Sequence, residues 1–107
     1  MTETDLMNTI RLKLSEIGYK NFRINVGKVR LPDGRFFSTG VEPGFSDLFA
    51  VQPVTGRAVF IECKVGDNKA SKEQLNFIKV MREQGALAGI AYSVEEAIEI
   101  AEGKNEH

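Results

Sequence analysis

The sequence predicts a single α/β domain, a mixed and partly parallel sheet flanked by helices. Three observations carry that expectation. Apolar residues recur at helical spacing in three separate windows. Between those windows lie short runs that alternate apolar and polar, or are apolar throughout. The path from the run at 57–64, through the helical window after it, to the run at 86–92 has the length of a crossover connection. Those two runs should therefore lie parallel.

The elements follow in order. Residues 4–17 read as an amphipathic helix with Leu6, Ile10, Leu14 and Ile17 on one face and Gly18 as its stop. Residues 21–26 alternate, which predicts a half-buried strand with Phe22, Ile24 and Val26 inward and Arg23 and Asn25 outward. Residues 28–40 resemble a hairpin excursion turned by Pro32-Asp33-Gly34. Strands are expected over 47–52 and 57–64, paired across Pro53-Val54-Thr55-Gly56. Ser71 and Gln74 match the capping-box pattern of a helix over 71–84, with Leu75, Phe77, Ile78 and Met81 as its buried stripe and Gly85 as stop. Residues 86–92 are small and apolar, as in a strand covered on both faces. Ser93, with Glu96 at the capping-box position, opens a last helix to about residue 102, its apolar side made by Val94, Ala97, Ile98 and Ala101.

A length of 107 residues suits one domain spanning 1–107, with 103–107 as a loose tail. No apolar run approaches the roughly 20 residues of a membrane helix, and no secretory pattern opens the chain. A lone cysteine offers no internal disulfide and no zinc cluster, so a reducing cytoplasm is the expected place. The net charge of -1 argues against a protein that coats nucleic acid non-specifically. The charge is uneven, however. Lys20, Arg23, Lys28, Arg30 and Arg35 face only Asp33 in one stretch, while glutamates dominate the last helix and tail. That asymmetry suits an anionic partner on one side or a mixed solvated surface.

The chemistry concentrates between Gly44 and Lys64. Asp47 opens one strand, and Glu62 and Lys64 close the next. Residues i and i+2 share a face of a strand, so Glu62 and Lys64 project together and Cys63 turns away. Across a hairpin, Asp47 would stand roughly 5 Å from them. Magnesium takes one or two carboxylates and fills its octahedron with water and phosphate oxygens. Asp47, Glu62 and the main-chain carbonyl of Cys63 suit that demand. Such an ion acidifies a bound water and neutralises charge on a phosphodiester. Lys64 would orient the attacking water or stabilise the transition state. On the triplet alone, an exposed ion pair is the plainer reading. The apolar Phe60-Ile61 before Glu62, and Gly44 before Asp47, favour a site. His107 is the sole histidine and terminal, which argues against histidine-dependent cleavage. Cys63 reads as a small core residue rather than a nucleophile, and Tyr19 and Tyr92 as core or rim packing rather than base-stacking groups. Arg23, Lys28, Arg30 and Arg35 either grip phosphates or are solvated surface.

The motif Gly44-x-Ser46-Asp47-Leu48, followed by Ile61-Glu62-Cys63-Lys64 and Ser71-x-x-Gln74, resembles the PD-(D/E)xK nuclease superfamily. Within it the chain looks most like the VRR-NUC family of virus-type replication and repair nucleases. Thr2-Glu3-Thr4-Asp5-Leu6, Arg23-x-Asn25-x-Gly27 and Gly89-Ile90-Ala91-Tyr92-Ser93 are similar as well, so the resemblance spans nearly the whole chain. It implies a restriction-endonuclease-like core with Asp47 and Glu62 as metal ligands and Lys64 as the catalytic lysine. It places Gln74 beside the metal, to position phosphate or water, where the residues alone offer only a capping box. It makes Glu3 an accessory ligand, where the residues alone offer a favourable charge at a helix N-terminus. Ser46 stands where the superfamily name has proline, and the ligand oxygens of Asp47 are untouched by that change.

The resemblance further implies phosphodiester hydrolysis with Mg²⁺ or Mn²⁺ in a phage-like setting. The expected substrate is branched DNA, four-way (Holliday) junctions foremost. A junction with two symmetric scissile phosphates suits a two-fold homodimer, for which Leu31, Phe36 and Phe37 are the candidate contact. The rivals are a flap- or single-strand-preferring repair nuclease, a DNA-binding module that no longer cuts, and a regulatory protein docking through its glutamate-rich last helix.

Overall fold

A computed structural model describes residues 1–26, 28–38 and 40–104, apart from the side chains of Lys28 and Val29. Gly27 of the Arg23-x-Asn25-x-Gly27 motif, the side chain of Lys28, and 105–107 of the expected tail with His107 lie outside the described residues.

Helix α1 (Glu3–Glu16) begins one residue earlier than its apolar period suggests, because Thr2 and Asp5 form a capping box. Leu6, Met7, Ile10 and Leu14 are its buried side. Strand β1 (Lys20–Arg23) follows, then the hairpin β2 (Lys28–Arg30) and β3 (Phe36–Ser38), which pair antiparallel as a separate ribbon. Strands β4 (Leu48–Val51) and β5 (Ala58–Cys63) pair antiparallel across the expected turn. Helix α2 (Lys72–Glu83) crosses over to β6 (Leu87–Ala91), which lies parallel to β5 as the length of the connection predicts. Helix α3 (Val94–Ala101) completes the order. The main sheet runs β1-β4-β5-β6. Among the described residues no helix is long and apolar enough to cross a membrane.

The two sheet faces carry different cores. Leu48, Ala50, Val59, Ile61, Cys63 and Leu87 pack with α1 and α3. Phe60, Ala86 and Ala88 pack with Phe77 and Ile78 of α2, joined by Phe45 and Phe49. Alternation along β5 thus sends its even-numbered residues, Glu62 included, towards α2.

Three expectations need correction. Strand β1 ends at Arg23, and its buried residue is Asn21 while Phe22 is 42% exposed; Arg23 and Asn25 face outward as expected. Asn21 donates to the carbonyls of Arg11 and Tyr19 and to Ser15 Oγ, and accepts from Arg11 Nε, so helix α1 satisfies its amide completely. Phe22 packs on Phe49 at the sheet edge instead. In α2, Leu75 is 51% exposed, because only a narrow side of that helix meets β5 and β6. In α3, Ser93 accepts from the Glu96 N–H, but Glu96 reaches back to the Tyr92 N–H, so no reciprocal box forms. Its buried residues include Ile100, which lies beside the expected stripe.

Gly44 is where the backbone demands glycine. Its φ is +93°, and an added Cβ would lie 2.5 Å from the carbonyl oxygen of Glu73 on α2. Gly34 has a similar φ of +89° with open space around it. We therefore expect Gly34→Ala to lose only the left-handed penalty, about 1–2 kcal/mol. Gly44→Ala should lose clearly more, because α2 must also move. Urea denaturation of both variants measures the difference, and equal losses would show that the contact with Glu73 is slack.

Candidate active site at the ends of strands β4 and β5

The register of β4 and β5 pairs Leu48 with Ile61, so the next pair outward is Asp47 with Glu62. Paired residues of antiparallel strands share a face. The two carboxylates are held reciprocally. The Asp47 N–H donates to Glu62 Oε1 at 3.1 Å, and the Cys63 N–H donates to Asp47 Oδ2 at 3.0 Å. Each carboxylate is thus held by the other strand's backbone. The N–H and C=O of a strand residue point the same way, so the Cys63 carbonyl is turned towards the edge where Asp47 stands.

Glu62 Oε2 has two further donors. Gln74 Nε2 lies 2.7 Å away and Lys64 Nζ 3.4 Å away. Gln74 also accepts from the Ser71 N–H through Oε1, at 2.9 Å. Its two expected roles are therefore compatible, since one amide closes the helix cap with its oxygen and grips Glu62 with its nitrogen. The apolar start of β5 and the cap of α2 place these groups.

Burial dominates the electrostatics. Glu62 is 2% exposed, and desolvation, reinforced by the charge of Asp47, pushes its carboxyl from the usual 4.5 up to about 7. Lys64 and the Asp47 N–H act in the opposite sense. Desolvation also raises Asp47, partly offset by the Cys63 N–H and Lys64. The Cys63 thiol is fully buried and pushed up to about 12, chiefly by desolvation, which suits a core residue and not a nucleophile. Beside Asp47, Ser46 Oγ is buried with no partner among the described residues.

The remaining expected members sit further out. Glu3, on the first turn of α1, lines a cleft of about 590 Å³ together with Asp47 and Arg23. Its carboxylate accepts from Asn68 Nδ2, and the Asn68 carbonyl accepts from the Tyr92 hydroxyl. Among the described residues no three His, Cys, Asp or Glu side chains converge to hold a metal between them, so Glu3 stands at the rim. Arg30 and Arg35 are exposed on the hairpin, and Arg35 is bound to Asp33 at 2.7 Å. Tyr19 is core, its hydroxyl donating to the Ala101 carbonyl. The cleft itself, with Met7, Asn25 and Phe37 in its wall, is not foreseen from the sequence. Its one visible signal is Asn25 in the Arg23-x-Asn25-x-Gly27 motif.

A mixed sheet with helices on both faces and a carboxylate pair at its strand ends defines a restriction-endonuclease-like protein. Among solved structures, a VRR-NUC domain matches with a TM-score of 0.66 at 19% identity, covering 100% of both chains. Archaeoglobus fulgidus Hjc, a Holliday junction resolvase from an archaeal hyperthermophile, matches with a TM-score of 0.56 at 19% identity, over 84% of this chain and 67% of that one. These likenesses establish the fold. The sequence model of the VRR-NUC domain matches residues 8–95. The chain belongs to the VRR-NUC family, a nuclease family. No curated protein matches it by sequence.

The raised Glu62 pKa has a measurable sign. Below 4.5 the group is protonated folded and unfolded, so it adds no pH dependence. Between 4.5 and about 7 the folded state holds the proton that the unfolded state has lost, so stability falls as pH rises. Above about 7 the full cost of the buried charge persists. In metal-free buffer we expect wild-type Tm to decline across that window and Glu62→Gln to flatten the decline. Identical slopes for the two proteins would show that Glu62 titrates normally.

Proposed function

We propose that the protein is a metal-dependent, structure-selective DNA endonuclease that hydrolyses phosphodiester bonds at branched DNA, four-way junctions foremost. The observation that carries this reading is the in-register Asp47–Glu62 pair with Lys64 against the same carboxylate, in a member of a nuclease family. The name of the similar Hjc structure supports junctions as the substrate.

The donor set fits a divalent cation. Two adjacent carboxylates both raised by desolvation, one to about 7, are left under-compensated by Lys64, and a cation between them would favour their ionised forms. Asp47, Glu62 and the Cys63 carbonyl would hold Mg²⁺ or Mn²⁺, which when bound supplies an acidified water and charge neutralisation at the phosphate. Glu3 at the rim is the accessory member. Lys64, its side chain 14% exposed, keeps a cation beside the reacting oxygens and orients the attacking water. Gln74 is a positioning residue: with both amide ends engaged, it fixes the rotamer of Glu62. Arg23, Lys28, Arg30 and Arg35 supply phosphate contacts.

The test is cleavage of junction, flap, duplex and single-stranded DNA with Mg²⁺ or Mn²⁺. We expect nicking of the junction, abolition by chelator, and a loss of about 10²–10³-fold in Lys64→Ala with binding retained. Undiminished cutting by Lys64→Ala would overturn the mechanism. A preference for flap or single strands would replace the junction assignment, and binding without cutting under either metal would leave a DNA-binding module.

Two scissile phosphates in one junction favour a two-fold homodimer. Phe37 lines the cleft, so the hairpin contact falls to Leu31 and Phe36, the latter 66% exposed. Light scattering should give twice the chain mass, and Phe36→Glu should halve it. A wild-type monomer at working concentration would exclude this assembly.

A further inference from the structure

We propose that the cleft beside Asp47 takes one unstacked nucleotide of the substrate strand, its base lying on Phe37 and its phosphate on Arg23. The proposal rests on the nuclease reading above and names what that site selects.

The cleft starts at the carboxylates. Glu3 and Asp47 line it at one end, and Arg23, Asn25 and Phe37 line it further along. A second cleft of about 350 Å³ shares Arg23, Ile24, Asn25 and Phe37 and adds Val41, so the groove continues past the root of the hairpin. Sharing these residues, the two are adjoining open clefts, with room for a nucleotide beside Asp47.

Their walls are unlike those of a track for duplex backbone. Such a track is lined with cations. Among the described residues of the wall Arg23 is the one cation, set among Met7, Ile24, Val26 and Phe37. That surface complements the flat apolar face of a base, and aromatic stacking is how proteins hold unpaired bases without reading their identity. The Phe37 ring is available for it. It is 59% exposed, and no other described aromatic ring stacks on it. Arg23, also exposed, makes no ion pair with a described residue and faces Asp47 closely enough to act on its carboxyl. The Asn25 amide can meet either a donor or an acceptor on a base edge.

Selectivity for DNA shape follows. Extracting a base from a duplex costs pairing and stacking, and costs least where pairing is already broken. At a branch point the helical stack is interrupted and the neighbouring pairs lose that support. The cost is therefore lower there than in intact duplex, which must give up stacking and pairing in full to reach Asp47. Phe37 is then the residue that separates branched from regular DNA.

The chain contains no tryptophan, so Phe37→Trp installs a single reporter in the cleft. Leu12→Trp, on the exposed side of α1 and outside the cleft, is its control. In chelator, where nothing is cut, emission from Phe37→Trp should fall on adding a four-way junction and hold level on adding duplex of equal length. Leu12→Trp should respond to neither. In Mg²⁺ or Mn²⁺, Phe37→Ala should cut junction about ten- to a hundredfold more slowly, with Phe37→Tyr close to wild type. Equal quenching by junction and duplex, equal responses from both reporters, or no quenching at saturating junction would overturn the proposal. The fluorescence arm needs no cleavage. A protein that shows the quench and cuts nothing keeps the cleft and loses the nuclease reading. One that cuts junction without the quench keeps the nuclease reading and loses the cleft.

Discussion

The burial of Glu62 is the constraint on which the rest of the structure depends. A carboxylate 2% exposed at the end of an apolar strand is tolerable only if its oxygens find donors. Those donors come from three places: the backbone at the start of β4, the first turn of α2, and Lys64 two residues along. Register, crossover and cap must all be right at once. A slip of one residue in β5 would turn Glu62 into the Ile10, Leu14 and Ile100 core and bring Cys63 to the α2 face. The fold and the site thus specify one another through a single side chain.

The aromatic cluster on the α2 face is the mechanical support for that arrangement. Phe77 of α2 lies with ring centroids 4.6 Å from Phe45 and 5.3 Å from Phe60. Phe45 follows Gly44, and Phe60 precedes Glu62 by two residues on the same face. Packing among these rings therefore fixes the distance between the turn leading into Asp47, the strand bearing Glu62, and the helix bearing Gln74. Gly44 allows the turn to approach the Glu73 carbonyl, which no side chain at that position would permit. A carboxylate pair that must not drift is held by groups chosen for shape.

What could be read from the sequence was local or periodic. The two-residue period placed Glu62 and Lys64 together, the turn after β4 brought Asp47 opposite, and Ser71 with Gln74 announced a cap three residues long in sequence. The family resemblance then supplied the fold class, and the domain match at 8–95 bears that out. What could not be read depended on neighbours remote in the chain. The inward face of β1 is decided by Arg11 and Ser15 on α1, which offer Asn21 a set of partners that no pattern within 21–26 encodes. Leu75 matches the period of α2 yet falls beyond the narrow strip that β5 and β6 cover. The cleft is assembled from the start of α1, the segment after β1 and the hairpin, so no single stretch of sequence marks Phe37 as one of its walls.

Charge bears on what the proposed cleft would contribute. With a net charge of -1 the chain has no overall positive field to draw in DNA or to retain it through released counterions. In the proposed site Glu3, Asp47 and Glu62 would add to the difficulty, because a phosphate would have to arrive beside them. Long-range attraction cannot hold substrate there. On the proposed reading, binding would come from short-range terms: the cations on the hairpin, a divalent ion between the carboxylates, and stacking of a base on exposed aromatic surface. The first is weakened where Arg35 is already engaged by Asp33. The second acts only once the phosphate is close. Of these, stacking would discriminate by DNA shape, since a base held in regular duplex cannot supply it. On the proposed reading such a nuclease favours distorted DNA, because regular duplex gives it too little to hold.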